Sequence, residues 1–407
     1  MKCGLLGQKL GHSYSPAIHA LLGDYEYRLF DVESDHLGDF LRSGDWDGIN
    51  VTMPYKQDVL PYLDELTEVA QKLGAVNTIV RRDGKLIGHN TDHFGFHCMI
   101  KQCGLSPVEK KCLVLGSGGA SQVVQAVLRD YGAKTVVISR SGEDNYKNLS
   151  RHADAAILIN TTPVGMYPKT GITPVDLDLF PHLESVLDVV YNPARTKLLQ
   201  DAKKRGIIAM NGLWMLVAQA KCAAEWFTNA PIAEDKIAQI HFILKERTEN
   251  IILIGMPGCG KSTVGRLLAE QMGRQFADTD CLIEKMAHKS IPQIFAEDGE
   301  EVFRNLETKV LESIGKESGL VIATGGGCVT QYRNYPLLHQ NGTIYWLQRD
   351  VEKLAICGRP LSRDLEDMYR VRKELYETFA DHVIDNNAAC IDTVNQIRDR
   401  HTGNDHI

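Results

Sequence analysis

Nowhere in its 407 residues does the chain carry a C-x-x-C pair, although it has ten cysteines: Cys3, Cys98, Cys103, Cys112, Cys222, Cys259, Cys281, Cys328, Cys357 and Cys390. Scattered thiols argue against zinc spacings and a disulfide framework, and they point to a reducing, cytoplasmic setting. No apolar run approaches the roughly 18 residues that a membrane span needs, and the N-terminal segment has no signal-like apolar stretch, so no membrane association is expected. Positive charge is not in excess either: 45 Lys and Arg stand against 52 Asp and Glu, a formal net charge of -7. That balance argues against a dedicated nucleic-acid binder and leaves room for local basic pockets around anionic small molecules. What the chain does have is an average globular composition, with 43% hydrophobic and 24% charged residues. Its length accommodates about two to four domains at roughly 100–200 residues each.

Two segments read as a strand, a glycine turn and a helix, the pattern of parallel α/β folds. One runs from Lys111 through Gly116, Gly118, Gly119 and Ala120 into a helix reaching Leu128, with the next strand at Thr135–Ser139. The other runs from Asn250 through the loop Gly255–Thr263 into a helix reaching Gln271. A polar stretch, Lys245 to Asn250, precedes the second and reads as a domain boundary. Apolar residues at Leu213, Leu216, Val217, Ala220, Trp226 and Phe227 predict helical structure over 213–244 that closes the first half.

Ser13 and Ser15 sit two apart before Pro16, so in an extended segment both hydroxyls face one way and can grip a carboxylate. Thr52 and Lys56 lie in N-V-T-x-P-x-K, Asn77 in G-A-V-N-T and Asp92 in N-T-D-x-x-G. Singly these are turn and cap residues. Together, with Tyr191 and Gln219 farther on, they resemble shikimate dehydrogenases across residues 3–240. The resemblance implies a shikimate dehydrogenase-like α/β substrate domain at residues 1–100, closed by helices at 213–245, and a Rossmann-type NADP domain at 101–212. It implies that Ser13 and Ser15 bind the substrate carboxylate, that Thr52, Asn77, Tyr191 and Gln219 contact substrate, and that Lys56 is catalytic with Asp92 beside it. The chemistry agrees. Hydride arriving at a carbonyl carbon needs a proton donor within hydrogen-bond reach of the oxygen, and partial burial is what makes a lysine usable as that acid near neutral pH.

Cofactor contacts are expected from the turn Gly116, Gly118, Gly119 and Ala120, from Ser139 and Arg140 after the next strand, and from Gly212. An arginine where an NAD site carries an acid suits a 2′-phosphate, hence NADP(H), although Glu143 and Asp144 follow closely. The stretch between Arg140 and Ile159 is too short for a further strand and helix, so this half-domain reads as trimmed.

In the second half, Gly255 to Ser262 is a complete G-x-x-x-x-G-K-[ST] loop. Backbone at Gly258, Cys259, Gly260 and Thr263 would cradle phosphates, Lys261 reach the β- and γ-phosphates, and Ser262 ligate magnesium. Asp278 and Asp280 form a D-x-D at a strand end, placing both carboxylates on one side. Arg304 and Arg372 suit forked binding of a carboxylate. With Gly325, Gly326, Gly327 and Arg359, the set resembles shikimate kinases across residues 250–390. That implies a P-loop kinase domain at 246–407, a parallel sheet flanked by helices. It implies Asp278 beside Mg2+, Asp280 on the 3-hydroxyl of shikimate, Arg304 and Arg372 on its carboxylate, the glycine triplet against its ring, and Arg359 with Lys261 on the transferring phosphoryl group. The family's additional arginine before Arg359 is missing, and Arg363 is the nearest substitute.

The two halves imply a bifunctional enzyme that reduces 3-dehydroshikimate to shikimate with NADPH and phosphorylates shikimate with ATP. The expected partners are these small molecules, without nucleic acid or membrane. The alternatives are a quinate/shikimate dehydrogenase fused to the kinase and a shikimate-sensing regulator with residual pockets. Intact Lys56, Asp92, Lys261, Ser262 and Asp278 count against the regulator. Cys259, near a helix N-terminus and beside Lys261, is expected to be the most reactive thiol, with Cys281 and Cys328 as small buried core residues.

Overall fold

The computed structural model describes residues 1–11, 13–354 and 365–403. The chain forms two compact units: Met1–Val164, Thr173–Tyr191 and Asp201–Leu244 make the first, and Gly165–Ile172, Asn192–Gln200 and Lys245–Ile407 the second.

The first unit holds two sheets. One is mixed, built from β1 (Lys2–Gly7), β2 (Glu26–Asp31), β3 (Gly48–Val51), β4 (Glu65–Leu66), β5 (Thr78–Arg82) and β6 (Lys85–His89), in the order β2-β1-β3-β5-β6-β4. β1 runs parallel to β2 and β3, and β5 turns antiparallel to β3. Leu6, Leu41, Ile49, Tyr55, Val59 and Ile79 form its buried core. The other sheet is wholly parallel: β7 (Lys111–Leu115), β8 (Lys134–Ile138), β9 (Ile157–Asn160), β10 (Ser185–Asp188) and β11 (Ile208–Met210), in the order β11-β10-β9-β7-β8. Leu113, Val114, Leu115, Leu158 and Ile159 are all fully buried, because a parallel sheet is covered on both faces and its strands need apolar side chains on each. The link from β8 to β9 contains only a short 3-10 turn, Leu149–His152, where a strand and helix would need far more chain.

Two helices, Leu213–Thr228 and Asp235–Thr248, fill the region expected to be helical; Asn229 ends the first in a left-handed conformation at φ 53°. The stretch read as a domain boundary lies in regular structure, where the long segment of the second unit begins. Lys245 to Thr248 completes the second helix, and the next strand starts at Asn250. Buried Leu244 anchors that turn, and Lys245 and Arg247 complement the negative end of the helix, so polar composition there marks a helix terminus.

The second unit carries a parallel sheet of β12 (Asn250–Ile254), β13 (Gln275–Asp278), β14 (Leu320–Ala323), β15 (Gly342–Gln348) and β16 (His382–Asp385), in the order β13-β14-β12-β15-β16. Ile251 to Ile254 are completely buried at its centre. Among the described residues no helix is long and apolar enough to cross a membrane.

Candidate active sites

A cleft of about 280 Å³ in the first unit is lined by Ser13, Ser15, Asn50, Thr52, Lys56, Asn77, Asp92, Ala120, Tyr191, Gly212 and Gln219. Lys56 Nζ donates to Asp92 Oδ2 at 2.5 Å, with the two side chains 31% and 15% exposed. Asp92 is the first residue of the helix Asp92–Gln102, where the positive helix end favours a carboxylate. Behind the pair lies a closed polar network. Asn77 Oδ1 accepts the Thr91 N–H at 2.7 Å, Asn77 Nδ2 donates to Thr91 Oγ1 at 3.0 Å, and the Thr91 hydroxyl donates to Gln219 Oε1 at 3.3 Å. Asn77 and Thr91 are almost fully buried, and a satisfied network of that kind is rigid; it holds Gln219 and the start of the Asp92 helix in one register.

Ser15 is not in an extended segment. It opens the short helix Ser15–His19, with Pro16 in the first turn, and its N–H donates to Ser13 Oγ at 3.2 Å. Pro16 has its φ fixed near the helical value, so a turn brings both hydroxyls to the cleft. Asn50 was missed by sequence reasoning, although it heads the segment containing Thr52 and Lys56. Its Oδ1 accepts from Tyr27 Oη at 2.7 Å and its Nδ2 reaches Thr78 Oγ1 at 3.2 Å. The Tyr191 ring lies 5.4 Å from that of Tyr14, and burial pushes its hydroxyl pKa up.

Of the expected cofactor residues, only Ala120 and Gly212 line this cleft. Gly116 turns at φ 106°, and a Cβ there would come within 2.9 Å of Thr161 Oγ1, so only glycine fits. Gly118, Gly119 and Ala120 are exposed at the start of the helix Gly119–Asp130. These open backbone groups fit a dinucleotide phosphate. Ser139 and Arg140 follow β8, with Arg140 exposed, and Asp144 is turned to His152 Nε2 at 2.8 Å.

In the second unit a cleft of about 600 Å³ is lined by Gly258, Gly260, Lys261, Ser262, Thr263, Asp278, Asp280, Arg304, Glu307, Gly325, Gly326, Gly327 and Arg372. Ser262 Oγ donates to Asp278 Oδ2 at 2.6 Å. Hydroxyl and carboxylate oxygens fit Mg2+, which takes one or two protein ligands and keeps several waters. Among the described residues no group of three or more His, Cys, Asp or Glu could hold a metal. Asp280 is not on a strand end. Asp278 caps the helix Thr279–Ala287 by accepting the Asp280 N–H at 3.0 Å, which puts Asp280 in the first helical turn. Lys261 Nζ is folded back on its own loop, donating to the carbonyls of Gly255 at 2.8 Å and Met256 at 3.0 Å.

The expectation is overturned for two of the three cysteines singled out in this unit. Cys259 is fully buried in the hydrophobic core and absent from the cleft lining, so its thiol is shielded from reagents, whereas Cys281 is exposed. Cys328 is buried, as expected, and burial pushes its thiol up to about 12. Arg359 and Arg363 lie outside the described residues, as does Cys357.

Arg304 Nη1 donates to Glu307 Oε2 at 2.9 Å and its Nη2 to Glu300 Oε1 at 3.1 Å. Glu307 was missed: three residues along a helix from an arginine, it reads as half of a surface ion pair. It is instead wholly buried, with Oε1 unpaired, and burial raises its pKa to about 7 against the opposing pull of Arg304. The first cleft thus holds a cation and a carboxylate in contact, suited to proton transfer at a polar substrate. The second joins a phosphate loop to a pair of arginines and an acid.

A family model described as shikimate dehydrogenase substrate binding domain matches residues 5–79, and one described as shikimate kinase matches residues 257–401. The shikimate dehydrogenase (NADP(+)) of Clostridium beijerinckii is 39% identical over 257 residues, covering 58% of this chain and 94% of that protein. A chorismate mutase/shikimate 5-dehydrogenase fusion protein from Clostridium acetobutylicum superimposes with a TM-score of 0.57 at 37% identity, covering 60% of this chain and 97% of that one. The shikimate 5-dehydrogenase of Thermus thermophilus, solved in complex with NADP(H) and shikimate, gives a TM-score of 0.55 at 30% identity, covering 59% of this chain and 98% of that one. The chain therefore belongs to the shikimate dehydrogenase family and continues into a shikimate kinase domain, as a bifunctional enzyme of the shikimate pathway.

Proposed function

We propose that the first unit reduces 3-dehydroshikimate to shikimate with NADPH and that the second phosphorylates the 3-hydroxyl of shikimate with ATP and Mg2+. The observation that carries this reading is that the Lys56–Asp92 pair opens into the same cleft as Ser13, Ser15, Tyr191 and Gln219. Ser13 and Ser15 take the substrate carboxylate. Thr52, Asn77, Gln219 and Asp92 face the ring hydroxyls, and the Lys56 ammonium gives its proton to the carbonyl oxygen as the carbon is reduced. NADPH supplies the hydride when bound along Gly116, Gly118, Gly119 and Ala120, with Ser139 and Arg140 toward its 2′-phosphate.

In the second unit Arg304 and Arg372 grip the carboxylate of shikimate. Asp280 takes the proton of the 3-hydroxyl as that oxygen attacks the γ-phosphorus and ADP leaves. Lys261 exchanges the carbonyls of Gly255 and Met256 for the phosphate oxygens. Mg2+, held by Ser262 and Asp278, supplies charge neutralisation at the phosphates. Nine free thiols among the described residues suit a reducing cytosol.

The test is to incubate the full chain with 3-dehydroshikimate, NADPH, ATP and Mg2+ and follow products by mass spectrometry. Shikimate 3-phosphate should form only when both NADPH and ATP are present. Oxidation of NADPH without a phosphorylated product would sink the kinase half, and a failure of 3-dehydroshikimate to oxidise NADPH, in a preparation that phosphorylates supplied shikimate, would sink the other.

A further inference from the structure

Tyr376 does not line the kinase cleft, yet its hydroxyl donates to the carbonyl oxygen of Gly326 at 2.6 Å. The ring is fully buried and stacked on Trp346, with centroids 5.7 Å apart and planes at 19°. Burial pushes the hydroxyl pKa well above its ordinary value, so the group keeps its proton and serves as a donor. The same carbonyl accepts Arg372 Nη1 at 3.3 Å, from one turn earlier on the helix Leu365–Phe379. A bond of 3.3 Å is weak, whereas one of 2.6 Å sets the direction of the oxygen.

The Gly326 peptide has little freedom otherwise. A Cβ at Gly326 would lie 2.7 Å from Pro257 Cδ of the phosphate loop, and the preceding Gly325 N–H donates to Thr279 Oγ1 at 3.0 Å. Thr279 stands between Asp278 and Asp280. The glycine turn is therefore held from one side by the segment carrying both acids and from the other by Tyr376.

We propose that Tyr376 is a positioning residue for the acceptor: its hydroxyl fixes the Gly326 peptide, and that peptide aims the Arg372 guanidinium at the acceptor carboxylate. The inference rests on the kinase reading above. Tyr376→Phe keeps the ring and its stacking and removes only the hydroxyl. In the full chain its KM for shikimate should rise about three- to tenfold, the worth of one neutral hydrogen bond, while kcat and the KM for ATP stay nearly unchanged. In an Arg372→Ala background the same substitution should add almost nothing, because the group it aims is gone. The dehydrogenase rate of each preparation counts folded chain.

An unchanged KM for shikimate overturns the proposal. So does a loss confined to kcat, or an effect that adds fully to that of Arg372→Ala. Equilibrium dialysis of shikimate against wild type and Tyr376→Phe separates this from failure of the parent reading. A wild type that binds no shikimate refutes both, and equal binding by the two proteins refutes the positioning role alone.

Discussion

The dehydrogenase cleft and the kinase cleft meet the same chemical demand, a carboxylated and hydroxylated ring, with opposite degrees of preparation. In the first, Lys56 already touches Asp92, and Asn77, Thr91 and Gln219 satisfy one another behind it. In the second, Lys261 is spent on its own loop carbonyls and Glu307 keeps a buried, unpaired oxygen. A prearranged pair costs little to use, while a cation folded inward must exchange partners when phosphate arrives.

Breaking each site at its lysine gives the largest expected effects. Lys56→Ala should lower the dehydrogenase kcat by roughly 10²–10⁴-fold, the usual worth of general acid help, and leave phosphorylation of supplied shikimate intact. Lys261→Ala should lower kinase kcat by about 10²–10³-fold as an electrostatic partner of the transition state is lost, with NADPH oxidation unchanged. Measuring both rates on both variants checks the comparison, and simultaneous loss in either variant would contradict it.

A smaller effect concerns the cofactor. Arg140 is exposed beyond β8 and Asp144 is engaged with His152, so NADPH should be favoured over NADH by roughly ten- to a hundredfold in kcat/KM, the range of one charge-assisted hydrogen bond. The preference should shrink in Arg140→Ala. Equal use of both cofactors would show that the shortened β8–β9 link leaves no 2′-phosphate site.

The next effect sharpens the contrast through pH. Glu307, with a pKa near 7, faces Arg304, Asp280 and Arg372, and Glu300 flanks the arginine. Below that pH Glu307 is neutral and, in the proposed reading, Arg304 offers its full charge to the acceptor carboxylate; above it the ionised Glu307 offsets that charge. The KM for shikimate should therefore climb severalfold between about pH 6 and 8, and Glu307→Gln should flatten the climb. Because the folded pKa is raised, the stabilisation from the neutral group is complete below its ordinary value near 4.5 and is lost as pH rises through about 7. The dehydrogenase KM has no such group behind it in the Asn77 network and should not follow this profile.

The smallest effect is on thiols. Iodoacetamide should label exposed Cys281 and spare Cys259 in the folded chain, which peptide mapping can read directly. Labelling should be slow, since partial burial and neighbouring Asp278 push the Cys281 pKa up. Alkylated Cys259 in active protein would mean that the phosphate loop opens.

Strands were legible where both faces are buried, because continuous apolar runs such as Ile251 to Ile254 have few other uses. Glycine turns were legible because they follow such strands. Local sequence misleads where a third element decides the outcome. The helix reaching Thr248 is held by packing at Leu244, which polar composition conceals. Asp280 entered a helix because Asp278 capped it, and Cys259 turned inward because the loop closes on the core. Glu307 and Asn50 carry ordinary local signals for a surface pair and a turn, and only burial reveals their position in the clefts.

The stacking of Trp346 on Tyr376 has an optical consequence. Of the four tryptophans, Trp46, Trp214 and Trp226 belong to the first unit and Trp346 alone to the second. Its indole is 2% exposed, so its fluorescence should be that of a ring shielded from water. One phenol ring links the Gly326 carbonyl to the indole, so a shift of that peptide should register in the emission. With the other three tryptophans replaced by phenylalanine, emission from the intact chain should change when shikimate is added, a gauge of acceptor entry needing no label and no turnover.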